Sequence, residues 1–174
     1  MQQILTNLFA EAKYLEGLSN HRALAHRDNC RWWDNVNLSL GIPAVVVAAA
    51  AGTSALAEVN RLIPGLLGLA AASLSGLLAF LNPSQNARLH AHASTLYGEL
   101  SGHFRRFHDI DIGLGGSPQA LRSQLETLVG RLNEVDEGSP WILRRYQRRY
   151  RLGVYAPPQP AEPEPASSDA TEHV

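Results

Sequence analysis

Two long stretches without a charged residue constrain this chain more than any other feature of its sequence. Residues 35–57 form the first, with 23 residues, and residues 62–87 form the second, with 26. A helix rises about 1.5 Å per residue, so each stretch can cross a hydrocarbon layer of about 30 Å. A surface helix of a soluble protein needs a polar face, and neither stretch carries a charged one. The sequence therefore predicts two membrane-spanning helices; the alternative is the Ala-rich core of a soluble helical bundle.

The connection between the two stretches is only residues 58–61. So short a link makes the helices antiparallel neighbours, and the unit is predicted to be a helical hairpin. Pro64 falls in the first turn of the second helix, where its missing N–H costs little. Pro43 lies inside the first helix and is expected either to bend it or to mark its start.

The distribution of arginine predicts the orientation of the hairpin. Basic residues in cytoplasmic loops outnumber those outside. Six arginines flank the outer ends of the hairpin and one lies in its turn, namely Arg22, Arg27, Arg31, Arg88, Arg105 and Arg106 against Arg61. Both termini are therefore predicted to be cytoplasmic. The N-terminus lacks the features of a secretory signal peptide. Trp32 and Trp33 are predicted interface anchors, with ordinary core packing as the alternative.

Small residues recur every four positions in both predicted spans, a spacing that lets two membrane helices approach closely. The residues predicted to pack helices are Ala44, Ala48, Gly52, Gly68, Ala72 and Gly76. The simplest assignment is contact between the two helices of one hairpin; contact between protomers is the alternative. A single hairpin cannot enclose a channel, so a pore would need several chains. Ser73 and Ser75 are candidate lining residues, unless their hydroxyls bond to their own helix.

The remaining sequence predicts amphipathic helices that cover one another in a cytoplasmic bundle. The first helix carries an apolar face from Ile4 to Leu15, and Gly17 is expected to end or interrupt it. A second face runs from Leu89 to Phe107. Ser117 can cap a third helix, with Pro118 at its first position. The predicted fold is all-α, a two-helix transmembrane hairpin with a cytoplasmic bundle, and its regions are 1–34 (N-terminal helical), 35–83 (hairpin), 84–155 (C-terminal helical) and 156–174 (disordered Pro/Glu-rich tail).

A cluster of arginines among aromatic residues precedes the tail. Its members are Arg144, Arg145, Arg148, Arg149 and Arg151. Each basic residue near an anionic leaflet contributes about 1 kcal/mol, so lipid headgroups are the predicted partner. A salt-bridged or solvated helix face is the alternative, and nucleic acid is not expected.

Catalytic and metal sites are not predicted. His90 and His92, and likewise His103 and His108, are spaced so that they do not project together from one helix face. Cys30 has no motif that identifies a catalytic partner. The glycines at residues 113–116 lack the preceding strand and the Lys-Ser/Thr of a phosphate loop. The chain is therefore predicted to be neither an enzyme nor a cofactor-binding protein.

The order of these features resembles the SLATT family, the SMODS and SLOG-associating two-transmembrane effector domains of bacterial conflict systems. The resemblance covers roughly residues 10–150. It is carried by the hairpin with its minimal turn and by Asn82, Pro83, His90, Ala93, Tyr97, Leu100, Leu132, Ser139 and Pro140.

That resemblance implies a homo-oligomeric effector that forms a pore or disrupts the inner membrane in nucleotide-signalling anti-phage defence. Because no nucleotide-producing or nucleotide-sensing domain is attached, a separately encoded second-messenger synthase or sensor is an expected partner. The competing expectation is a non-conducting membrane anchor or scaffold that recruits a partner through its cytoplasmic helices.

Overall fold

The computed structural model describes residues 2–57, 60, 62–114 and 116–151. Every regular element within these ranges is helical, which confirms the predicted all-α class. The α-helices are α1 (Gln2–Leu56), α2 (Leu62–Leu81), α3 (Pro83–Arg106), α4 (Pro118–Gly138) and α5 (Arg144–Arg149), and a π-helical turn (Phe107–Asp111) continues α3. The predicted disordered tail lies outside the described residues, as does most of the hairpin turn.

Helix α1 is one continuous helix of 55 residues, roughly 80 Å long. It runs through Gly17 without a break, so the predicted interruption there is wrong. Glycine inside a helix costs only about 1 kcal/mol, and packing against α3 outweighs that cost. Pro43 lies within α1 and does not mark its start. The predicted region boundary at residues 34–35 therefore falls inside a single helix.

Two consecutive helices run back along α1. Helix α2 packs against its apolar half and α3 against its charged half. Between them, Asn82 adopts a left-handed conformation with φ 41°, and Pro83 opens α3. Asparagine tolerates this conformation better than most residues, and proline has no N–H to lose at a helix start. The Asn86 side chain donates to the Leu81 carbonyl at 2.9 Å and bridges the joint. The joint lets one long helix pair with two shorter ones.

The contact between α1 and α2 does not use the predicted row of small residues. Ala44 is buried, but the other five, Ala48, Gly52, Gly68, Ala72 and Gly76, are exposed. A Cβ atom added at Gly52, Gly68 or Gly76 would meet no described atom within 4 Å. The prediction that this row packs the hairpin is therefore wrong except at Ala44. Ala71 is buried in α2, and Leu78 approaches Gly41. Spacing identifies a helix face but not the neighbour that covers it.

The hairpin is distinguished from a soluble core by its exposure. Both α1 and the α2–α3 segment contain an 18-residue window long and apolar enough to cross a membrane. Only 6% of each window is buried within the chain. A core helix of a soluble protein is mostly buried, whereas the apolar surface of these helices is not covered by the rest of the chain. Such a surface is suited to contact with an apolar medium or with another molecule.

The charged halves of the molecule form a bundle of α1, α3 and α4 with its own core. Phe104 and Phe107 are fully buried in it. Leu121, Leu125, Leu128 and Leu132 form the buried face of α4, as their spacing predicts. Ser117 accepts a hydrogen bond from the Ala120 N–H at 3.3 Å and Pro118 opens α4, which confirms the predicted cap.

Candidate functional site

The most unusual site in the bundle is a pair of histidines from different helices. His26 of α1 and His90 of α3 place their Nδ1 atoms 2.9 Å apart. Their exposed fractions are 1% and 3%. At this distance one ring donates its N–H and the other accepts, so the contact holds one proton between the two nitrogens. The pair joins α1 to α3 inside the bundle.

Tyr97 connects the histidine pair to a third helix. Its ring stacks on His26, with centroids 5.4 Å apart and planes inclined by 14°. The Tyr97 hydroxyl donates to Asp136 of α4, and Arg22 of α1 forms an ion pair with the same carboxylate. The Arg22 guanidinium also lies 5.7 Å from the centre of the Tyr97 ring. Side chains of α1, α3 and α4 thus meet in one polar network.

The protonation states in this network follow from burial. Desolvation, with smaller contributions from His90 and Arg22, lowers the pKa of His26 to about 4, although Asp136 acts in the opposite direction. Burial also lowers the pKa of His90. Burial and the hydrogen bond to Asp136 raise the pKa of Tyr97 to about 12. At neutral pH both imidazoles are therefore uncharged and Tyr97 keeps its proton.

An open cavity of about 390 Å³ gives solvent access to this network. Arg22, Tyr97 and Asp136 bound it on the side of the helices, and the segment that follows α4, including Pro140 and Trp141, bounds the other. Trp141 is 79% exposed. His26 also lines the cavity but is almost fully buried, so the network is buried at the histidines and open at the ion pair.

Helix α5 is held on α1 just below the apolar half of that helix. The Leu143 N–H donates to Asn29 Oδ1 at 3.3 Å. Tyr150 donates to Asp28 at 2.8 Å, and Arg149 lies 3.4 Å from the same carboxylate. The Arg145 guanidinium lies 5.1 Å from the centre of the Trp32 ring. These contacts orient the arginine cluster.

The five predicted lipid-binding arginines are all exposed. Two of them also contact α1: Arg149 pairs with Asp28, as the salt-bridged alternative anticipates, and Arg145 lies over the Trp32 ring. The predicted interface anchors Trp32 and Trp33 are half-buried, and their rings form an edge-to-face pair with centroids 4.7 Å apart.

We expect Asp28→Ala to loosen α5. The Asp28 side chain is 15% exposed and holds both Arg149 and Tyr150. Because Arg149 itself is largely exposed, the loss should be about 1 kcal/mol, or roughly fivefold faster amide exchange in α5. Hydrogen–deuterium exchange of the full chain measures it. Asp34→Ala, which removes an exposed carboxylate, is the control. Unchanged exchange in Asp28→Ala would show that these contacts do not hold α5.

A second charged cluster lies at the far end of the bundle. Glu16 contacts His108 Nε2 and Arg105 Nε, each at 2.8 Å. Burial alone would raise the pKa of Glu16, but the bonds from His108 and Arg105 together outweigh it and lower that pKa. The cluster fixes the π-helical turn against α1. It is a structural ion pair that keeps Glu16 ionised at mildly acidic pH.

The spacing of histidines along one helix does not reveal the histidine pair, because its two rings come from different helices. His90 does lie on the buried face of α3 with Ala93, Tyr97 and Leu100, at helical spacing. That spacing indicates a buried histidine, yet it cannot name a partner 64 residues away. Within the described residues, no group of three or more His, Cys, Asp and Glu side chains is arranged to hold a metal ion.

The predicted pore-lining serines are both exposed on α2. The Ser73 hydroxyl donates to the Leu69 carbonyl at 2.9 Å, which is the alternative use expected for it.

Neither a protein-family model, nor a curated protein, nor a solved structure matches this chain.

Proposed function

We propose that this chain is an oligomeric membrane effector whose hairpins assemble in the bacterial inner membrane and make it permeable. The observation that carries the proposal is the exposure of the hairpin, since only 6% of each apolar window is buried. Lipid tails cover such a surface at no cost, whereas water does not. With both termini in the cytoplasm, the charged bundle lies beneath the membrane.

The row of small residues supports contact between protomers. On α1, Ala48 and Gly52 are turned away from the line of contact with α2, and on α2 Gly68 and Ala72 are turned away from α1. On each helix, the row lies on the same side of the contact line when the helix is viewed from its own N-terminus. Because the two helices are antiparallel, both rows therefore lie on one side of the hairpin. A second hairpin can approach this side closely, which is what stabilises helix contacts in lipid.

The arginine cluster supports contact with lipid headgroups. Arg145 lies against Trp32 of α1. The last turn of α2 lies beside α1 only about two helical turns after Trp32, since Leu78 approaches Gly41. Arg145 is therefore close to the end of the apolar hairpin. Arg144, beside Arg145, is exposed at this level and suits an anionic headgroup. Arg148 and Arg151 lie further along the chain and contribute less.

The biological setting rests on the resemblance to SLATT proteins. Following that resemblance, we assign the activating signal to a separately encoded nucleotide synthase or sensor. Release of the effector would end the growth of a phage-infected cell. Without conduction, the same hairpin would serve as an anchor or scaffold, and the experiment below separates the two.

We expect Gly68→Leu and Gly76→Leu to abolish both oligomers and permeability while leaving the hairpin folded. A Cβ atom added at either position has no other part of its own chain within 4 Å, so the hairpin has room for the larger side chain, whereas a neighbouring hairpin would be held apart by it. Chemical cross-linking in membranes measures assembly, and a membrane-potential dye in expressing cells measures permeability. Each variant should lose most of both signals.

Ala70→Leu is the matched control, because Ala70 is an exposed small residue of α2 on another side of the helix. It should assemble and depolarise cells as the native chain does. Native behaviour of both glycine variants would remove this face from the interface. A native chain that assembles without lowering membrane potential or viability would favour the scaffold over the effector.

A further inference from the structure

We propose that the His26–His90 pair is a proton-binding site through which acidification separates α3 from α1. The site lies in the bundle, and the proposal does not depend on permeability of the membrane. It is carried by the 2.9 Å contact between two buried ring nitrogens.

The contact accommodates one proton and no more. With a single proton, one Nδ1–H points at the lone pair of the other Nδ1. When both rings are protonated, two N–H groups face each other at 2.9 Å and two like charges share a site with little water. The doubly protonated pair must therefore separate. A first proton, taken at an outer ring nitrogen, already places a charge where burial disfavours it.

The surroundings offer no spare negative charge to an imidazolium. Arg22 of α1 faces the pair and repels it. From α3, Tyr97 stacks on His26 as a neutral phenol. From α4, Asp136 attracts a proton to His26, but Arg22 and Tyr97 already bind that carboxylate. The segment that follows α4 (residues 139–142) and Gln147 of α5 add only uncharged side chains to the cavity wall.

The pH range follows from the direction of the shift. Burial holds the pKa of His26 near 4 in the packed bundle, against an ordinary value of 6.5. When the helices separate, the exposed ring regains its ordinary pKa and binds more protons. The ratio of open to packed molecules therefore rises as pH falls below 6.5, by up to tenfold per pH unit from His26, and this rise ends near pH 4. The lowered pKa of His90 adds to it in the same direction.

The proposed opening has a route to the apolar helices. Helix α1 runs without a break from His26 through its apolar half, and α3 continues directly from α2 at Asn82. Separation of α3 from α1 therefore changes the angle at the Asn82 joint or the position of α1 relative to α2. The hairpin and the histidine pair share α1, and α3 is joined directly to α2.

Distances between spin labels test the opening in the full chain embedded in lipid nanodiscs. In a Cys30→Ser background, labels at Asn20→Cys and Thr95→Cys lie on exposed positions of α1 and α3. Between pH 7 and pH 5 we expect a population of longer distances to appear and grow at least tenfold. Glu16 stays ionised over this range because its pKa is lowered.

The double variant His26→Gln/His90→Gln should lose the response to pH, and His92→Gln, an exposed histidine of α3, should keep it. The proposal would be overturned if the double variant showed the same response. It would also be overturned if the distances in the native chain did not lengthen down to pH 4.5.

Should the double variant fail to fold, imidazole NMR of the native chain decides the question. We expect the two buried rings to titrate together with the opening and below the ordinary range. Two independent titrations near pH 6.5 without a change of distance would overturn the proposal. Because neither readout measures permeability, this proposal can fail or stand separately from the proposed effector function.

Discussion

Replacing Leu69 with arginine is expected to prevent α2 from entering the membrane. Leu69 lies near the middle of α2 and is 66% exposed. An arginine at the centre of a membrane helix costs about 2.5 to 3.5 kcal/mol in translocon-mediated insertion, which lowers the equilibrium constant for insertion roughly a hundredfold. A reporter fused to the C-terminus would measure it. With only α1 inserted, that terminus moves to the periplasmic side, and a periplasm-active reporter switches on.

The matched control is Leu89→Arg on α3. Leu89 is 46% exposed on the charged bundle, so arginine there should leave topology unchanged. In a soluble fold both substitutions would be equally mild, because each leucine is exposed. A Leu69→Arg chain that retained native topology and membrane association would contradict the assignment of α2 as a span.

Truncating Phe104 is expected to destabilise the bundle by about 3 to 5 kcal/mol. Its side chain is fully buried, and it belongs to the core formed by α1, α3 and α4. Removing the ring leaves a cavity, because three closely packed helices can relax only partly to fill the space. Urea denaturation of the full chain in detergent, followed by hydrogen exchange of α4 amides, measures the loss.

Phe80→Ala provides the control for lost aromatic surface. Phe80 is 86% exposed on α2, so its removal breaks few contacts within the chain. The bundle should then unfold at the native urea concentration. Equal stability of Phe104→Ala and the native chain would mean that the bundle core does not depend on this ring.

The chain has two parts that differ in burial: the two apolar windows are exposed, and the bundle has a buried core. Within the described residues, α1 contributes to both parts, because its first half packs with α3 and α4 and its second half with α2. The hairpin buries little of its own surface, whereas the bundle buries Phe104 and Phe107 completely. The bundle therefore has a core of its own, whereas the sides of the hairpin are left uncovered within the chain.

The sequence by itself determined the elements that depend on neighbours along the chain. The uncharged stretches, the break at Asn82 and Pro83, the Ser117 cap and the leucine face of α4 all follow from local spacing or local backbone preference. These preferences act within one or two helical turns, so the residues that cause them can be read in order.

The tertiary structure decided what depends on contacts between distant residues. Gly17 stays helical because α3 packs beside it, and the small residues face outward because α2 presents Ala71 to α1 instead. The pairing of His26 with His90 needs the register between α1 and α3, which depends on how α2 packs against α1 and on the joint at Asn82. Helical periodicity fixes which residues share a face, but the rotation of each helix about its axis is set only by the helices that pack against it.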